Sequence, residues 1–240
     1  MATAKARDAK AKDAPNWRRY RDACGAAQGL DLVGERWTLL VVRELLLGPK
    51  RFTDLREGLP GISTNILAHR LETLETAGVV RKRTLPAPAA SKVYELTDWG
   101  MELGPVVEAL GRWGVRSPWR SDEDEIGVDG LMVSFRTMFD PEAAGDLEAS
   151  YEVVLGVQGF GLEVGYGTIR VYRGAPDSPD ARIETDAATL GALVYEGRDL
   201  DDALSSGDVE IGGDRSAVVR LTGLFPLPEP ALRPSNNRQG

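Results

Sequence analysis

The stretch from Pro60 to Gly78 constrains the fold of this chain more than any other segment. Ser63 is a favourable N-cap and Gly78 is a favourable residue just beyond a C-terminus, so residues 64–77 predict one helix of about four turns. At about 100° per residue, the apolar and the short polar side chains fall on two separate faces. The apolar face carries Leu67, Leu71 and Leu74 with the stem of Arg70, and the polar face carries Thr64, Asn65, Ala68, His69 and Glu72.

The segments around this helix indicate what its polar face is for. Short hydrogen-bonding side chains let a helix approach base-pair edges, but a face that only contacts water has a similar composition. Residues 51–58 predict a short helix that a Gly-containing turn joins to the long one. Residues 79–85 and 92–97 predict two strands joined by a Pro-rich tip. This order is that of a winged helix-turn-helix, whose second helix enters the major groove.

Charge is divided unevenly along the chain. Residues 1–120 contain 20 Lys and Arg against 14 Asp and Glu (+6), whereas residues 121–240 contain 9 against 23 (−14), which accounts for the net charge of −8. A basic first half is attracted to phosphates, and an acidic second half is repelled by them. The sequence therefore predicts a DNA-binding domain followed by a domain that stays away from the duplex.

The rest of the composition is typical of a water-soluble protein. No apolar run is long enough to span a bilayer, and the first residues lack the apolar region of a secretory signal, so a cytoplasmic location without membrane contact is expected. The single cysteine, Cys24, excludes an internal disulfide framework. The predicted organisation is a disordered tail at 1–15, a winged helix-turn-helix domain at 16–116, a linker at 117–125, a second α+β domain at 126–227 and a flexible tail at 228–240.

Two further helices of the first domain are predicted from apolar spacing. Trp17, Tyr20 and Cys24 are three and four residues apart, which predicts a helix from Asn16 onward. Residues 98–115 predict a final helix with one long apolar stripe, formed by Met101, Pro105, Val106, Leu110 and Trp113. So small a domain cannot bury this stripe away from water, and we expect a partner subunit to bury it.

The first domain resembles the HxlR-type family of winged-helix transcription regulators. The resemblance rests on residues 32–40, 43–45, 51–55, 61–63 and 94–97 together with Cys24, Leu67, Arg70, Leu71, Leu74, Glu75, Gly78, Gly100, Trp113 and Gly114. It implies a homodimer that binds double-stranded DNA at an inverted-repeat operator, with the terminal helices at the dimer interface. Half-sites would then be separated by roughly 10 base pairs or a multiple of that spacing.

Candidate DNA contacts follow from these positions. Base contacts are predicted for Thr64, Asn65, Ala68 and His69, and backbone contacts for Arg51, Ser63, Arg70, Arg81, Lys82, Arg83 and Lys92. Arg70 lies at the border of the apolar face, so pairing with a carboxylate is an equal alternative for it. His69 is the only histidine, and no second His or Cys stands at ligand spacing, so no metal site is expected.

Cys24 has two interpretations. Related regulators that sense electrophiles or oxidants use a cysteine near this position, which makes Cys24 a redox candidate. A free cysteine among tryptophan and leucine is also a common buried core residue, inert because reagents cannot reach it.

The second domain shows alternating strands followed by helices. Residues 128–139 predict an amphipathic helix, residues 147–155, 159–166 and 168–172 predict strands of an antiparallel sheet, and residues 187–195 predict a helix capped by Asp186. The pattern of small and apolar residues resembles the sterol-carrier-protein type of lipid-binding domain, which implies an apolar pocket between sheet and helices. Its expected lining is Leu131, Phe135, Met138, Phe160, Leu162, Tyr166, Leu190 and Tyr195, each of which is also an ordinary core residue.

The predicted function is that of a dimeric DNA-binding transcriptional regulator, with repression as the expected mode and a small apolar ligand as the expected effector. Two alternatives stay open: a lipid-binding protein whose winged helix only dimerises, and a regulator controlled through Cys24. The chain carries one His, one Cys and no Gly-rich phosphate loop, so neither an enzyme nor a cofactor is expected.

Overall fold

The structure is a computed structural model that describes residues 19–87, 90–121 and 124–233. These residues form a winged helix-turn-helix unit up to residue 116 and a mixed helix-and-sheet unit from residue 128 onward, which confirms the α+β class. The predicted tail at 1–15 lies outside the described residues, as do positions 88–89 of the wing tip and 122–123 of the linker. No helix within the described ranges is both long and apolar enough to cross a bilayer.

The N-terminal unit places a short hairpin directly after a pair of helices. Its elements are α1 (Gly25–Val33), α2 (Thr38–Leu45), α3 (Phe52–Glu57), α4 (Thr64–Thr76), β1 (Val80–Thr84), β2 (Lys92–Leu96), α5 (Asp98–Met101) and α6 (Gly104–Gly114). Helices α3 and α4 with their connecting turn form the predicted helix-turn-helix, and antiparallel β1 and β2 form the wing.

Helix α4 has the boundaries and the faces that the sequence predicts. Its start is capped by Ser63, whose Oγ accepts a hydrogen bond from the backbone N–H of Ile66 at 3.3 Å. Leu67, Leu71 and Leu74 are at most 1% exposed and anchor the helix in the core. Gly78 follows with φ of +75°, a conformation that a residue without Cβ adopts at no steric cost.

The predicted helix from Asn16 is wrong over residues 19–24, which precede α1. Arg21 has φ of +56°, and the backbone N–H of Tyr20 donates to Asp31 Oδ1 at 2.8 Å, so the chain folds back onto α1 instead of continuing a helix. Tyr20 is consequently 67% exposed rather than packed. Trp17 lies outside the described residues.

The predicted helix over 98–115 is divided into α5 and α6. Pro105 stands at the start of α6 and has no N–H to donate to the carbonyl of Met101, as a continuous helix would require. Thr97 caps the first piece, its Oγ1 accepting from the backbone N–H of Gly100 at 3.0 Å. Two residues, Glu102 and Leu103, separate α5 from α6.

The C-terminal unit joins helices to one mixed sheet. Its elements are α7 (Val128–Met138), α8 (Pro141–Ala144), β3 (Ala149–Leu155), β4 (Gln158–Gly165), β5 (Thr168–Arg173), β6 (Ala181–Thr185), α9 (Ala187–Tyr195), α10 (Leu200–Ser205), β7 (Glu210–Gly213) and α11 (Arg215–Thr222). The strand order is β5-β4-β3-β6-β7. The antiparallel prediction holds for β3, β4 and β5, whereas β6 runs parallel to β3.

The parallel pairing is fixed at one residue of the crossover. Asp180 accepts a hydrogen bond from the backbone N–H of Ser150 at 2.7 Å through Oδ2, and its own N–H donates to the carbonyl of Ser150 at 2.9 Å. These bonds set β6 beside β3 with Tyr151 opposite Ala181. The sheet is then closed on the far side by β7, antiparallel to β6.

Helices cover the sheet and fill its core with aromatic rings. Tyr151 is fully buried, and its hydroxyl donates to the carbonyl of Ala217 on α11 at 3.1 Å. Burial raises the pKa of this hydroxyl to about 12. The Phe135 ring of α7 stacks on Phe225 with centroids 4.4 Å apart.

The two units pack directly against each other. Helix α7 lies against α2 and α6 of the winged helix. Arg136 of α7 pairs with Glu108 of α6 at 2.6 Å, and the guanidinium of Arg112 donates to the carbonyl of Thr137. The linker therefore joins domains that share a contact surface.

Residues 228–233, the first part of the predicted flexible tail at 228–240, contact the linker region. Arg116 Nε donates to the carbonyl of Glu229 at 2.9 Å, and the N–H of Ala231 donates to the carbonyl of Arg116 at 2.7 Å. The guanidinium of Arg233 lies 5.4 Å from the ring centroid of Trp119. Backbone and cation–π contacts hold this segment against the linker, while residues 234–240 lie outside the described residues.

Candidate nucleic-acid interface

The polar face of α4 is accessible at the surface of the helix-turn-helix. Thr64, Asn65, Ala68 and His69 are all exposed, and they occupy the first two turns of the helix. Because the opposite face is buried among leucines, these side chains are held at fixed positions on a rigid element. Their short length would allow the helix backbone to lie close to a groove floor.

Arg70 takes the structural alternative rather than the DNA contact that was predicted for it. Its Nε donates to the carbonyl of Arg36 at 3.1 Å, and its Nη2 lies 3.3 Å from Glu35 Oε2. Only 15% of the side chain is exposed. The residue ties α4 to the segment before α2, since its stem lies at the edge of the apolar face.

The cations of the wing lie at the surface and are paired with carboxylates. Arg81 Nε and Arg83 Nε both contact Glu95, at 2.7 and 2.9 Å, and their side chains are 61% and 49% exposed. Lys82 Nζ contacts Glu75 of α4 at 2.6 Å, and this carboxylate holds the pKa of Lys82 above its usual range. Sequence reasoning missed both carboxylates, although the predicted hairpin places Glu95 opposite Arg81.

Three remaining predicted contacts lie around this surface. Lys92 is exposed on β2 opposite Thr84, and Arg51 is exposed immediately before α3. Ser63 is exposed as well, with its hydroxyl used for capping. The wing, the start of α3 and the start of α4 thus carry every predicted phosphate contact except Arg70.

Cys24 is exposed at the N-cap position of α1, so the interpretation as a buried core residue is wrong. The backbone N–H groups of Ala26 and Ala27 lower the pKa of the thiol, although neither makes a full capping hydrogen bond. A thiol in this setting has a larger thiolate fraction at neutral pH than a free cysteine, and reagents can reach it.

The apolar stripe predicted on the last helix is exposed. Met101, Val106, Leu110 and Trp113 are 44 to 74% exposed, and Trp99 beside them is 50% exposed. Single exposed apolar residues are ordinary, but a contiguous row of this size marks a contact surface.

The predicted ligand-lining residues do not enclose a pocket. Most of them fill the core with at most 1% exposure, namely Leu131, Phe135, Phe160, Leu162 and Leu190. Tyr166 is 92% exposed in the turn between β4 and β5, where it has φ of +53°. Close packing leaves no space between these side chains, because Phe135 stacks on Phe225 where a ligand was expected.

A cavity of about 810 Å³ lies instead between the linker, α7 and α9. Of the predicted lining residues it includes only Met138 and Tyr195. The Tyr195 hydroxyl lies 2.7 Å from Ser134 Oγ, and burial raises the pKa of this tyrosine to about 12. The other lining residues are Val115, Arg120, Ser121, Asp124, Glu125, Ile126, Ala188, Thr189, Gly191, Ala192, Glu196, Arg198 and Leu227. The space exists because α9 faces it with the small residues Ala188, Gly191 and Ala192, which are apparent in the sequence.

The family model that matches the C-terminal half is not that of the sterol-carrier-type domains, which the sequence pattern resembles. The model of the alkyl sulfatase C-terminal family matches residues 128–232. A solved structure of the sec-alkyl sulfatase PisA1, a double mutant, is 19% identical and covers 42% of this chain and 16% of its own, with a TM-score of 0.39. The sterol-carrier resemblance stays a prediction. Within the described ranges, no group of three or more His, Cys, Asp or Glu side chains is arranged to hold a metal ion.

Comparison of the N-terminal half identifies its family. The model of the HxlR-like helix-turn-helix family matches residues 32–122. The HTH-type transcriptional regulator YvaP of Bacillus subtilis, itself uncharacterized, is 35% identical over 86 residues, which are 36% of this chain and 80% of that protein. The HTH-type transcriptional regulator YodB of the same organism is 38% identical over 34% of this chain and 73% of its own length.

One of these relatives has a solved structure. The reduced form of YodB from B. subtilis is 32% identical and covers 42% of this chain and all of its own, with a TM-score of 0.37. The names of the relatives confirm the predicted class, a helix-turn-helix transcriptional regulator. Through its N-terminal half, the chain belongs to the HxlR-like helix-turn-helix family.

Proposed function

We propose that this protein is a transcriptional regulator that binds an inverted-repeat operator as a homodimer, with α4 of each subunit in a major groove. The exposed polar face of α4 carries this proposal, because its opposite face is fixed in the core and the wing cations flank it. In this arrangement Asn65 and its neighbours contact bases, and Arg51, Arg83 and Lys92 contact phosphates.

The charge distribution supports this orientation. The first 120 residues carry a formal charge of +6 and the remainder carries −14. An acidic domain of this size would be repelled by a duplex, so the winged helix is the end of the molecule that approaches DNA.

The exposed stripe on α5 and α6 is the dimer surface in this proposal. It contains Met101, Val106, Leu110 and Trp113, and a second copy of the same surface would cover it with twofold symmetry. Dimerisation would set the distance between the two α4 helices, and therefore the spacing of the half-sites.

Repression by blocking a promoter is the mode we propose, with an effector that binds the cavity between α7, α9 and the linker. The cavity volume is within the usual range for small-molecule sites, and its wall combines apolar side chains with the hydroxyl pair of Ser134 and Tyr195. These features favour a small, largely apolar molecule that carries a hydrogen-bonding group. The cavity supports the proposed likeness to sterol-carrier-type domains in ligand binding, at a different place from the predicted pocket.

Binding to DNA is tested with operator sequences selected from a random library by the purified protein. We expect tight binding that weakens as salt rises, with a twofold-symmetric consensus. Asn65→Ala should lose about 1 to 3 kcal/mol at one base position of each half-site and nothing on random DNA. Equal losses on selected and random DNA would remove the base-reading role, and a failure to select any sequence would refute the proposal.

The same purified protein distinguishes the lipid-binding alternative from the proposed DNA-binding function. If the winged helix only dimerises, lipid extracted from the native protein should be detected by mass spectrometry while DNA of any sequence is ignored. Salt-dependent retention on selected DNA excludes that alternative. We also propose that the second domain regulates rather than catalyses, as the relatives named as regulators support, and that the protein acts in the cytoplasm.

Control through Cys24 is a second candidate, favoured by its exposure and lowered pKa. A lowered pKa raises the thiolate fraction below the usual titration range of cysteine, so alkylation by iodoacetamide at pH 7 should be faster than for a free cysteine. The same alkylation should then weaken operator binding by the native protein but not by Cys24→Ser. Identical responses of the two proteins would leave the cavity as the proposed control site.

A further inference from the structure

Five charged side chains meet where the two units of the chain touch. The winged helix contributes Arg43, Glu44 and Lys50, and the C-terminal unit contributes Asp129 and Arg173. We call this group the junction cluster. Its carboxylates are the most buried charges in the described residues, with side chains 1% exposed for Glu44 and 2% for Asp129.

Every carboxylate oxygen of the junction cluster has a cationic donor. Lys50 Nζ lies 2.6 Å from Glu44 Oε2 and also donates to Asp129 Oδ2. Arg43 Nη2 lies 2.7 Å from Glu44 Oε1, and Arg173 donates to Asp129 Oδ1. Lys50 is therefore the one side chain of the cluster that contacts the carboxylates of both units.

Burial makes this arrangement selective for one geometry. A buried charge costs several kcal/mol in lost hydration, which only close and well-oriented partners offset. Gly58 keeps the space open, because a Cβ at this position would lie 2.2 Å from Glu44 Oε2. A small shift of α7 would separate Asp129 from Lys50 and leave both incompletely paired, so the cluster favours a single orientation of the two units.

Lys50 is also part of the DNA-reading unit. Its N–H donates to the carbonyl of Tyr94 at 3.0 Å and its carbonyl accepts from the N–H of Tyr94 at 2.8 Å, an antiparallel bridge that places it beside the middle of strand β2 of the wing. The next residue is Arg51, a proposed phosphate contact that precedes α3. A force on the Lys50 side chain therefore acts on the wing and on the start of the helix-turn-helix together.

Helix α7 connects this point with the cavity. Asp129 lies in its first turn, while Ser134 and Met138 lie in the cavity wall. The helix is about 16 Å long, since each residue adds about 1.5 Å. One helix therefore carries both a member of the junction cluster and two residues of the cavity wall.

We propose that Asp129 is a positioning residue for DNA binding, which holds the wing in place through Lys50. Helix α7 would then connect the second domain to the wing and to the DNA-binding helix α4. This proposal rests on the DNA-binding function proposed above. Asp129 touches no DNA; it fixes where Arg83 and Lys92 stand relative to α4.

The test measures operator affinity for Asp129→Asn, which keeps the shape of the side chain and removes its charge. We expect a loss of about tenfold on the selected operator, within the usual coupling range for residues of one ion-pair network. Asp146→Asn is the matched control, because Asp146 is exposed on the same domain and should bind as the native protein does.

A double-mutant cycle separates positioning from mere loss of stability. If Asp129 acts through the wing, Asp129→Asn should cost little more in a protein that already carries Arg83→Ala, because the wing contact is then gone. Additive losses, or operator binding equal to the native protein, would overturn the proposal. Urea unfolding shows whether the variant is folded; if it is not, Arg173→Gln, at a side chain 27% exposed, removes one partner of Asp129 and should give a smaller loss with the same non-additivity.

The test also distinguishes failure of this proposal from failure of the proposed function. A native protein that selects no operator refutes the function itself, and with it the role of Asp129. A native protein that binds its operator while Asp129→Asn binds equally well refutes only the positioning role.

Discussion

The wing and the junction cluster use the same ion-pair chemistry in opposite surroundings. On the wing, the cationic side chains of Arg81, Lys82 and Arg83 are 49 to 61% exposed, so water reaches the cations even though Glu95, the partner of both arginines, is only 12% exposed. At the junction, Lys50 is 7% exposed between two carboxylates that water hardly reaches. Exposed pairs contribute about 0 to 1 kcal/mol to folding, whereas breaking a buried pair costs several times more.

The difference shows how one domain can have surface cations that change partners and still keep a rigid frame. A wing cation can leave its carboxylate for a phosphate at little cost, because solvent screens both states. Lys50 is enclosed between Glu44 and Asp129, so it retains one geometry. The charges proposed to contact DNA are thus loosely held, and the charges proposed to set their position are tightly held.

The largest expected effect is that of Lys50→Ala. Removing the cation would leave Glu44 and Asp129 buried beside each other with one donor each, so we expect a loss of about 3 to 5 kcal/mol in the free energy of unfolding. Urea denaturation followed by tryptophan fluorescence measures it. A loss below about 1 kcal/mol would mean that water reaches the cluster, and the contrast with the wing would be wrong.

Arg83→Ala should have the opposite profile. Its free energy of unfolding should change by less than about 1 kcal/mol, because the Arg83 side chain is half exposed and Glu95 keeps its bond to Arg81. Affinity for DNA should fall on all sequences alike, and the slope of log affinity against log salt should flatten by about 1. A loss confined to the selected operator would instead assign Arg83 to base reading.

Glu95→Gln sharpens the comparison from the carboxylate side. Glu95 partly neutralises both Arg81 and Arg83, so its removal frees positive charge at the wing. We expect tighter DNA binding at low salt and a steeper salt slope, by up to about 1. The slope of log affinity against log salt is measured by fluorescence anisotropy between 50 and 200 mM salt. An unchanged slope would show that Glu95 does not reduce the contact of the two arginines with DNA.

The smallest effect is expected for Lys82→Ala. Its partner Glu75 lies on α4, and both side chains are more than a third exposed, so the unfolding free energy should fall by less than about 1 kcal/mol and high salt should abolish even that difference. A loss that persists in 1 M salt would show that the link between wing and α4 is packing rather than charge.

The N-terminal half was the more predictable because its signals are local. Ser63, the three leucines of α4 and Gly78 lie within one helix, so spacing alone gives its boundaries and its buried face. The break between α5 and α6 was also present in the sequence as Pro105, and the apolar stripe obscured it. The fold-back at Arg21 depends on Asp31, a contact that periodicity does not show.

The C-terminal half was less predictable because core and pocket have the same composition. Phe135 and Leu190 have the size and polarity of ligand-lining residues, and only packing shows that they touch other side chains instead. The partnership of Lys50 with Asp129 joins positions 79 apart, and no spacing rule connects them. Likewise, β6 pairs with β3 in a direction that strand patterns do not specify.

The segment that bonds back to Arg116 has a consequence for the order of assembly. Arg116 and Glu229 are 113 positions apart, so the linker acquires this contact only after the whole second domain has left the ribosome. The winged helix, whose contacts are short-range, can fold during that interval and can meet another nascent copy through α6 before the second domain exists. The dimerisation proposed above would then precede docking of the second domain, and the final segment would pack against Arg116 last.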